Sequence, residues 1–314
     1  MEQQANLTVV GSNNIDLTSF LKRFPKKGET VYGKEFKQGF GGKGSNQAVM
    51  ASLLGANVSM VTCVGADVYG ENWLQHYKKE GINTDFVKVI EDMPSGVAAI
   101  WVEAHGDNRI VINPGANNAL DDEYVKEAFQ GLPKPNVVLS QLENPQASIV
   151  EGFKQGQSMG ALTVLNPAPA DILNDEMLSY TDWLLPNETE FAFLAKEMFG
   201  ISVDNLSEAI QAFSEKTKTN LVVTIGNEGA LLYQPDRDMV VERIETISVD
   251  AVDTTGAGDA FCGTFAYGLS VGLTPKRAVT LANAVASDSV QRTGTQISYA
   301  RGNQLAEIVQ QVLN

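Results

Sequence analysis

The sequence predicts an α/β fold, a mostly parallel central sheet flanked by helices on both faces, with a small β-sheet lid beside it. Three observations carry that expectation. Short apolar, β-rich runs alternate with helix-length segments along most of the 314 residues, the pattern of strands covered on both faces by crossover helices. Nearly every run ends in polar or glycine-rich residues, such as Gly11-Ser12-Asn13-Asn14 and Asn166-Pro167; in open parallel sheets, ligands sit outside the carboxyl ends of the strands. The segments from about 15 to 40 and from 97 to 112 break the alternation and are expected to form the lid.

Taken in order, residues 7–10 read as a buried strand stopped by Gly11, 46–54 as a helix ended by Gly55, and 58–64 as a second strand. A helix over 69–80 is closed by Gly81. Residues 97–102 and 109–112 read as a hairpin pair with Gly106 and Asp107 between them. The runs 137–139, 161–165, 183–185 and 221–225 are strands, with helices over 146–155, 188–197 and 206–216 between most of them. A last apolar stretch, 260–273, is long enough for a helix. No internal repeat or low-complexity linker divides the chain, so residues 1–314 are expected to form a single domain.

The bulk properties exclude several classes of function. Hydrophobic content of 43% with 19% charged residues allows a sizeable core. A net charge of −15 argues against nucleic acid or an anionic membrane as the main partner. Cys63 and Cys262 lie far apart with no CxxC spacing, as expected of reduced core thiols, and the histidines, His76 and His105, do not cluster into a zinc site. The start of the chain is polar and carries Glu2, unlike a secretory signal, and no apolar run reaches the roughly 18 residues of a membrane span. A soluble, cytoplasmic protein is the expectation.

The most informative stretch is Asp253-Thr254-Thr255-Gly256-Ala257-Gly258-Asp259, running directly into the last apolar segment. A Gly-Ala-Gly turn bends sharply and leaves backbone N–H groups bare, and a helix starting there aims them, with its positive dipole end, at one spot. That spot seats an anion, and a carboxylate beside it, Asp259, can act as a general base. Anion seat plus base is what phosphoryl transfer to a hydroxyl needs. The plainer reading makes Asp259 an N-cap. A second glycine cluster, Gly39 to Gly44, fits GxGxxG as a string, but the polar residues before it are no buried strand, and no GxxxxGK[ST] is present. Asn14 and Asp16 follow the first strand, where they suit either hydroxyl recognition or an ordinary turn. Asn187 and Glu190 have the spacing of a capping box and also of a pair that orders water around Mg²⁺; both readings stand.

Residues 253–259 resemble the C-terminal signature of the ribokinase-like, or phosphofructokinase-B, family of sugar kinases, and Gly41-Gly42-Lys43-Gly44-Ser45-Asn46-Gln47-Ala48 resembles its N-terminal one. The resemblance extends over nearly the whole chain, including Asn166-Pro167-Ala168-Pro169-Ala170. It implies an ATP-dependent kinase that phosphorylates the primary 5-hydroxyl of D-ribose, with another sugar or nucleoside (2-deoxyribose, fructose, pseudouridine), or a non-catalytic sugar-binding regulator, as alternatives. It implies Asp259 as base; Gly256, Ala257 and Gly258 as anion hole; Asn14, Asp16, Gly42, Lys43, Asn46 and Glu143 as sugar grip; and Asn187, Thr224, Gly226, Gly229, Gly258 and Asn283 on the nucleotide side. Asn187 and Glu190 would meet Mg²⁺ through water. Asp253, Thr255, Ser289, Arg292, Gly294 and Ser298 fall where the family holds K⁺ or a similar monovalent cation. Relatives acting on 2-deoxyribose carry an apolar residue where this chain has Asn14, which favours ribose. The family's lids often clasp a second subunit, and Val31, Tyr32, Phe36, Ile100 and Trp101 permit a homodimer here.

Overall fold

The computed structural model describes residues 5–237 and 240–313. In chain order its elements are β1 Asn6–Val10, β2 Asn14–Phe20, β3 Glu35–Gly41, α1 Lys43–Leu53, β4 Asn57–Gly65, α2 Val68–Lys79, β5 Val87–Ile90, β6 Val97–Val102, β7 Asn108–Asn113, α3 Asp122–Gly131, β8 Val137–Gln141 and α4 Gln146–Ser158. There follow β9 Leu162–Asn166, α5 Asp175–Ser179, β10 Trp183–Leu184, α6 Glu188–Phe199, α7 Leu206–Thr217, β11 Asn220–Thr224, β12 Ala230–Tyr233, β13 Glu242–Ile244, α8 Ala257–Ser270, α9 Pro275–Ser289 and α10 Gly302–Leu313.

The main sheet has the order β13-β12-β11-β10-β9-β8-β1-β4-β5. It is parallel from β5 to β11 and antiparallel at β12 and β13. Alternation along the strands divides the apolar side chains between two layers. Leu7 and Val9 of β1 and Leu139 of β8 pack with Met50 of α1, Phe265 of α8 and Leu281 of α9. Val10 and Val138 point the other way, into Phe153 of α4, Phe191 of α6 and Phe213 of α7. Burial on both faces is why these strands read as continuous apolar runs. No described helix is long and apolar enough to cross a membrane.

The lid is a separate sheet of order β3-β2-β6-β7. β2 leaves the carboxyl end of β1 after only Gly11 to Asn13, and β3 runs through Gly42 into α1, so both connections pass the strand ends where a ligand would sit. The hairpin turn at Gly106 (φ 92°) is as expected. The lid exposes large apolar side chains, among them Phe36, Trp101, Ile110 and Val111.

The structure departs from the sequence reading at helix starts and at the sheet edge. α1 begins at Lys43 and α8 at Ala257, each three residues before the expected start, because the glycine turns are themselves the N-caps: Gly42 (φ 85°) and Gly256 (φ 78°). Edge strands β5 and β13, and β12 beside β13, have no long apolar run to announce them, and α3, α5, α9 and α10 were likewise not expected.

Candidate active site

Asp259 is the third residue of α8, not its cap, and is 8% exposed. Its carboxylate is held on both sides: Asn46 Nδ2 donates to Oδ2 (2.8 Å) and Gln47 Nε2 to Oδ1 (2.9 Å). Gln47 also donates to Asn166 Oδ1 (3.1 Å) and accepts from Gln141 Nε2 (2.6 Å), so α1, β8 and β9 converge on this one carboxylate. A buried charge is tolerable only with such partners. Of the expected anion-hole donors, the Ala257 N–H is engaged by the Thr254 carbonyl (3.2 Å). The first turn of a helix leaves its other N–H groups, here those of Gly258 and Asp259, without intrahelical acceptors.

A cavity of about 200 Å³ lies in front of this helix end, lined by Lys43, Asn187, Glu190, Thr224, Gly258 and Asp259 among others. Lys43 and Asp259 of the expected sugar side meet Asn187, Thr224 and Gly258 of the nucleotide side there, whereas Asn14, Asp16, Gly42, Asn46, Glu143, Gly226 and Gly229 lie outside its lining. Cys262, one helical turn beyond Asp259, also lines it; its spacing to Asp259 was the only signal for it. Burial pushes its thiol well above the ordinary range, so it is a neutral wall. A second cavity, about 190 Å³, lies at the opposite end of β1 and β4 and contains none of the expected site residues.

On the sugar side, Glu143 Oε2 accepts from the Lys43 N–H (2.9 Å) and from Ser12 Oγ (2.5 Å). Burial pulls the Lys43 ammonium down, but Asp259, Glu143 and Glu190 around it outweigh this and hold it above its usual value. Asp16 moves the other way. Burial, reinforced by the charges of Glu143 and Asp259, raises its carboxyl to about 7. The paired glycines make room: a Cβ on Gly41 would lie 2.3 Å from the Asp16 carboxylate, and one on Gly42 2.7 Å from the Asn14 N–H nitrogen.

Asn14 is buried, its Oδ1 accepting from Asn117 Nδ2 (3.0 Å). Asn117 also brackets the neighbouring backbone, donating to the Asn13 carbonyl (2.8 Å) and accepting from the Asn13 N–H (3.0 Å). Asn13 in turn ties β1 to β4 through Thr62 Oγ1 (2.8 Å) and the Cys63 carbonyl (3.1 Å). Sequence reasoning missed Asn117, Gln47 and Gln141, whose partners lie about a hundred or more residues away along the chain.

The nucleotide side is built more locally. Asn187 caps α6 in a complete capping box with Glu190, both bonds 2.8 Å, and both residues still line the cavity. Burial raises the Glu190 carboxyl despite the Asn187 N–H and Lys43. Thr224 ends β11; Gly226 (φ 59°) and Gly229 (φ 98°) form the turn after it. Asn283 does not line the cavity: its Nδ2 donates to the carbonyls of Ile244 (3.0 Å) and Glu245 (3.3 Å), pinning the end of β13.

The residues expected around a monovalent cation are neighbours in space. Asp253 accepts from the N–H groups of Thr255 and Gly294 (2.9 Å each). Burial raises its carboxyl, but those bonds outweigh it and keep the group below its ordinary value. Arg292 pairs with Asp288, and its Nε donates to the Ser298 carbonyl (2.8 Å). Ser289 Oγ bonds back into α9.

The pfkB family carbohydrate kinase model matches residues 4–301. A deoxyribokinase of Salmonella typhi is 37% identical over 96% of this chain and 98% of its own. Among solved structures, the ribokinase of Thermotoga maritima superposes with a TM-score of 0.89 at 35% identity, covering 98% of this chain and 99% of that one. An Arabidopsis thaliana ribokinase complexed with ribose and ATP gives a TM-score of 0.85 at 27% identity, with 98% and 99% covered.

Proposed function

The chain belongs to the pfkB family of carbohydrate kinases and is a phosphotransferase with an alcohol acceptor, and we propose that it transfers the γ-phosphoryl of ATP to the 5-hydroxyl of D-ribose, giving ribose 5-phosphate. The observation that carries this reading is the Asp259 carboxylate, oriented by two amides at the N-terminus of α8. Asp259 takes the proton of the primary hydroxyl as its oxygen attacks the γ-phosphorus. The bond from that phosphorus to the bridging oxygen breaks, and ADP departs with the electron pair. The Gly258 and Asp259 N–H groups, with the dipole behind them, hold the charge on the transferring group. Asn14, Asp16, Gly42, Lys43, Asn46 and Glu143 grip the sugar; Asn187, Thr224, Gly226 and Gly229 flank the nucleotide, with Asn283 behind them.

Mg²⁺ bound with ATP would neutralise phosphate charge, and Asn187 and Glu190 offer the oxygen ligands that suit its water shell. The ionised Asp253 and the carbonyls around 289–298 are hard oxygen donors suited to a monovalent cation, although the Ser298 carbonyl is already shared with Arg292. The lid closes over the sugar and keeps water from competing as acceptor. Its short connections into β1 and α1 favour one domain over two, and its exposed apolar face favours a homodimer. Both cysteines are free and buried, in keeping with a reducing cytoplasm.

Ribose is favoured over 2-deoxyribose by Asn14: with Oδ1 committed to Asn117, its NH₂ serves a hydroxyl, and a sugar lacking that hydroxyl leaves it unpaired. The 37% identity to a deoxyribokinase keeps 2-deoxyribose as the second reading. ADP release with Mg²⁺-ATP and K⁺ across ribose, 2-deoxyribose, fructose, adenosine and pseudouridine decides between them. The expected result is a kcat/KM preference for ribose; equal rates on ribose and 2-deoxyribose overturn the Asn14 argument.

A further inference from the structure

The Asn46 amide that donates to Asp259 is itself the end of a longer chain. Gln296 Nε2 donates to Asn46 Oδ1 (2.9 Å), and Gln296 Oε1 meets His76 Nε2 at 2.7 Å. Every direction in this chain is forced. Asn46 turns its NH₂ to the Asp259 carboxylate, which leaves its oxygen to accept from Gln296. Gln296 then gives its NH₂ to Asn46, and its oxygen can only accept from a hydrogen on His76 Nε2. Burial holds the imidazole below its ordinary pKa, which favours the neutral ring with its single hydrogen on Nε2.

The ring itself is clamped. Phe40, on lid strand β3, stacks flat against His76 with centroids 3.8 Å apart and planes 5° apart, and Trp73 meets His76 edge-on at 5.7 Å. The links of the chain join residues 213, 250 and 220 positions apart, so α8, α1, the turn at 296–298 and α2 are tied together through side chains alone. Neither His76 nor Gln296 lines the cavity.

We propose that His76 and Gln296 are positioning residues for phosphoryl transfer, a donor chain that fixes the Asn46 amide and thereby the orientation of the Asp259 carboxylate. The inference rests on the kinase reading above. A general base acts only within narrow geometric limits, and small misplacements cost large factors in rate. Losing the chain therefore affects turnover more than sugar binding.

The test is steady-state kinetics with Mg²⁺-ATP and the preferred sugar. His76→Phe keeps a ring to stack on Phe40 but removes the Nε2–H; it should lower kcat about tenfold, by more than it raises the sugar KM, to which Asn46 also contributes. His76→Gln restores a donor and should recover most of the loss. Gln296→Leu should resemble His76→Phe, and the double variant should be no slower than Gln296→Leu alone, because both cut one chain. Thermal unfolding confirms that each variant is folded at the assay temperature. An unaltered kcat in His76→Phe, no recovery in His76→Gln, or losses that multiply in the double variant overturn the proposal while leaving the kinase reading intact. Failure of the unmodified protein to turn over any sugar overturns the kinase reading and this inference with it.

Discussion

The two sides of the candidate site are made in different ways. On the sugar side the polar groups are buried and their partners are distant in sequence: Asn14, Asn46, Gln47, Gln141 and Asp259 are all 8% exposed or less, and the Asp259 bonds close loops of more than two hundred residues. On the nucleotide side, Asn187 is exposed and bonds Glu190 three residues away, and the turn at 226–229 closes on itself through Gly229 N–H to the Gly226 carbonyl (3.2 Å). A small neutral sugar offers only hydroxyls, so recognising it takes dry, fixed partners whose loss is costly. A polyphosphate carries its own charge and is held by helix ends and turn N–H groups without deep burial. That also fits a chain of net charge −15, in which the attraction for ATP must be local.

The sharpest way to break this contrast is at the shared residue. Asp259→Asn should lower kcat by about 10²–10⁴. The new NH₂ must face one of two amide donors, Asn46 or Gln47, so one bond is lost, yet sugar and ATP binding should largely survive. Near-normal turnover by this variant in an ADP-release assay would remove Asp259 from the role of base.

A smaller effect is expected from pH, on the sugar side alone. With its carboxyl raised to about 7, Asp16 is protonated below that pH and loses an acceptor for sugar hydroxyls. The sugar KM should therefore fall about tenfold from pH 6 to pH 8, with little change for ATP, and Asp16→Asn should flatten the profile. The same shift sets the sign for stability. The folded state keeps a proton that the unfolded chain releases near 3.8, so the ligand-free protein loses stability as pH rises from there to about 7. A sugar KM independent of pH would contradict the charged-acceptor role.

The smallest effect belongs to the exposed half. Asn187→Ala removes the cap of α6 and should cost about 0.5–2 kcal/mol in denaturant unfolding. It should raise the ATP KM several-fold and leave the sugar KM unchanged. A variant that instead weakens sugar binding would erase the division between the halves.

The same division governs what could be read from the chain. The strands around β1 and β8, the lid segments and the turn before α8 were all legible, because alternation, glycine turns and helix starts are local signals. The antiparallel strands β12 and β13 were not, since short runs have no pattern of their own apart from the sheet they join. Asn187 and Glu190 were legible as a capping box because both partners lie within one turn. Asn117, Gln296 and His76 were silent, for no local pattern reports a bond to a residue a hundred or more positions away.

By itself, then, the sequence determined the α/β class, the bare helix end at residues 256–259 and the carboxylate placed on it, since each follows from spacing within a few residues. The tertiary structure alone decided that burial, beside Glu143 and Asp259, would raise Asp16 to about 7, that Asn283 would pin β13, and that a chain of amides would end on Asp259. Those outcomes depend on desolvation and on which dipoles converge in space, and both exist only once the sheet has brought its strand ends together.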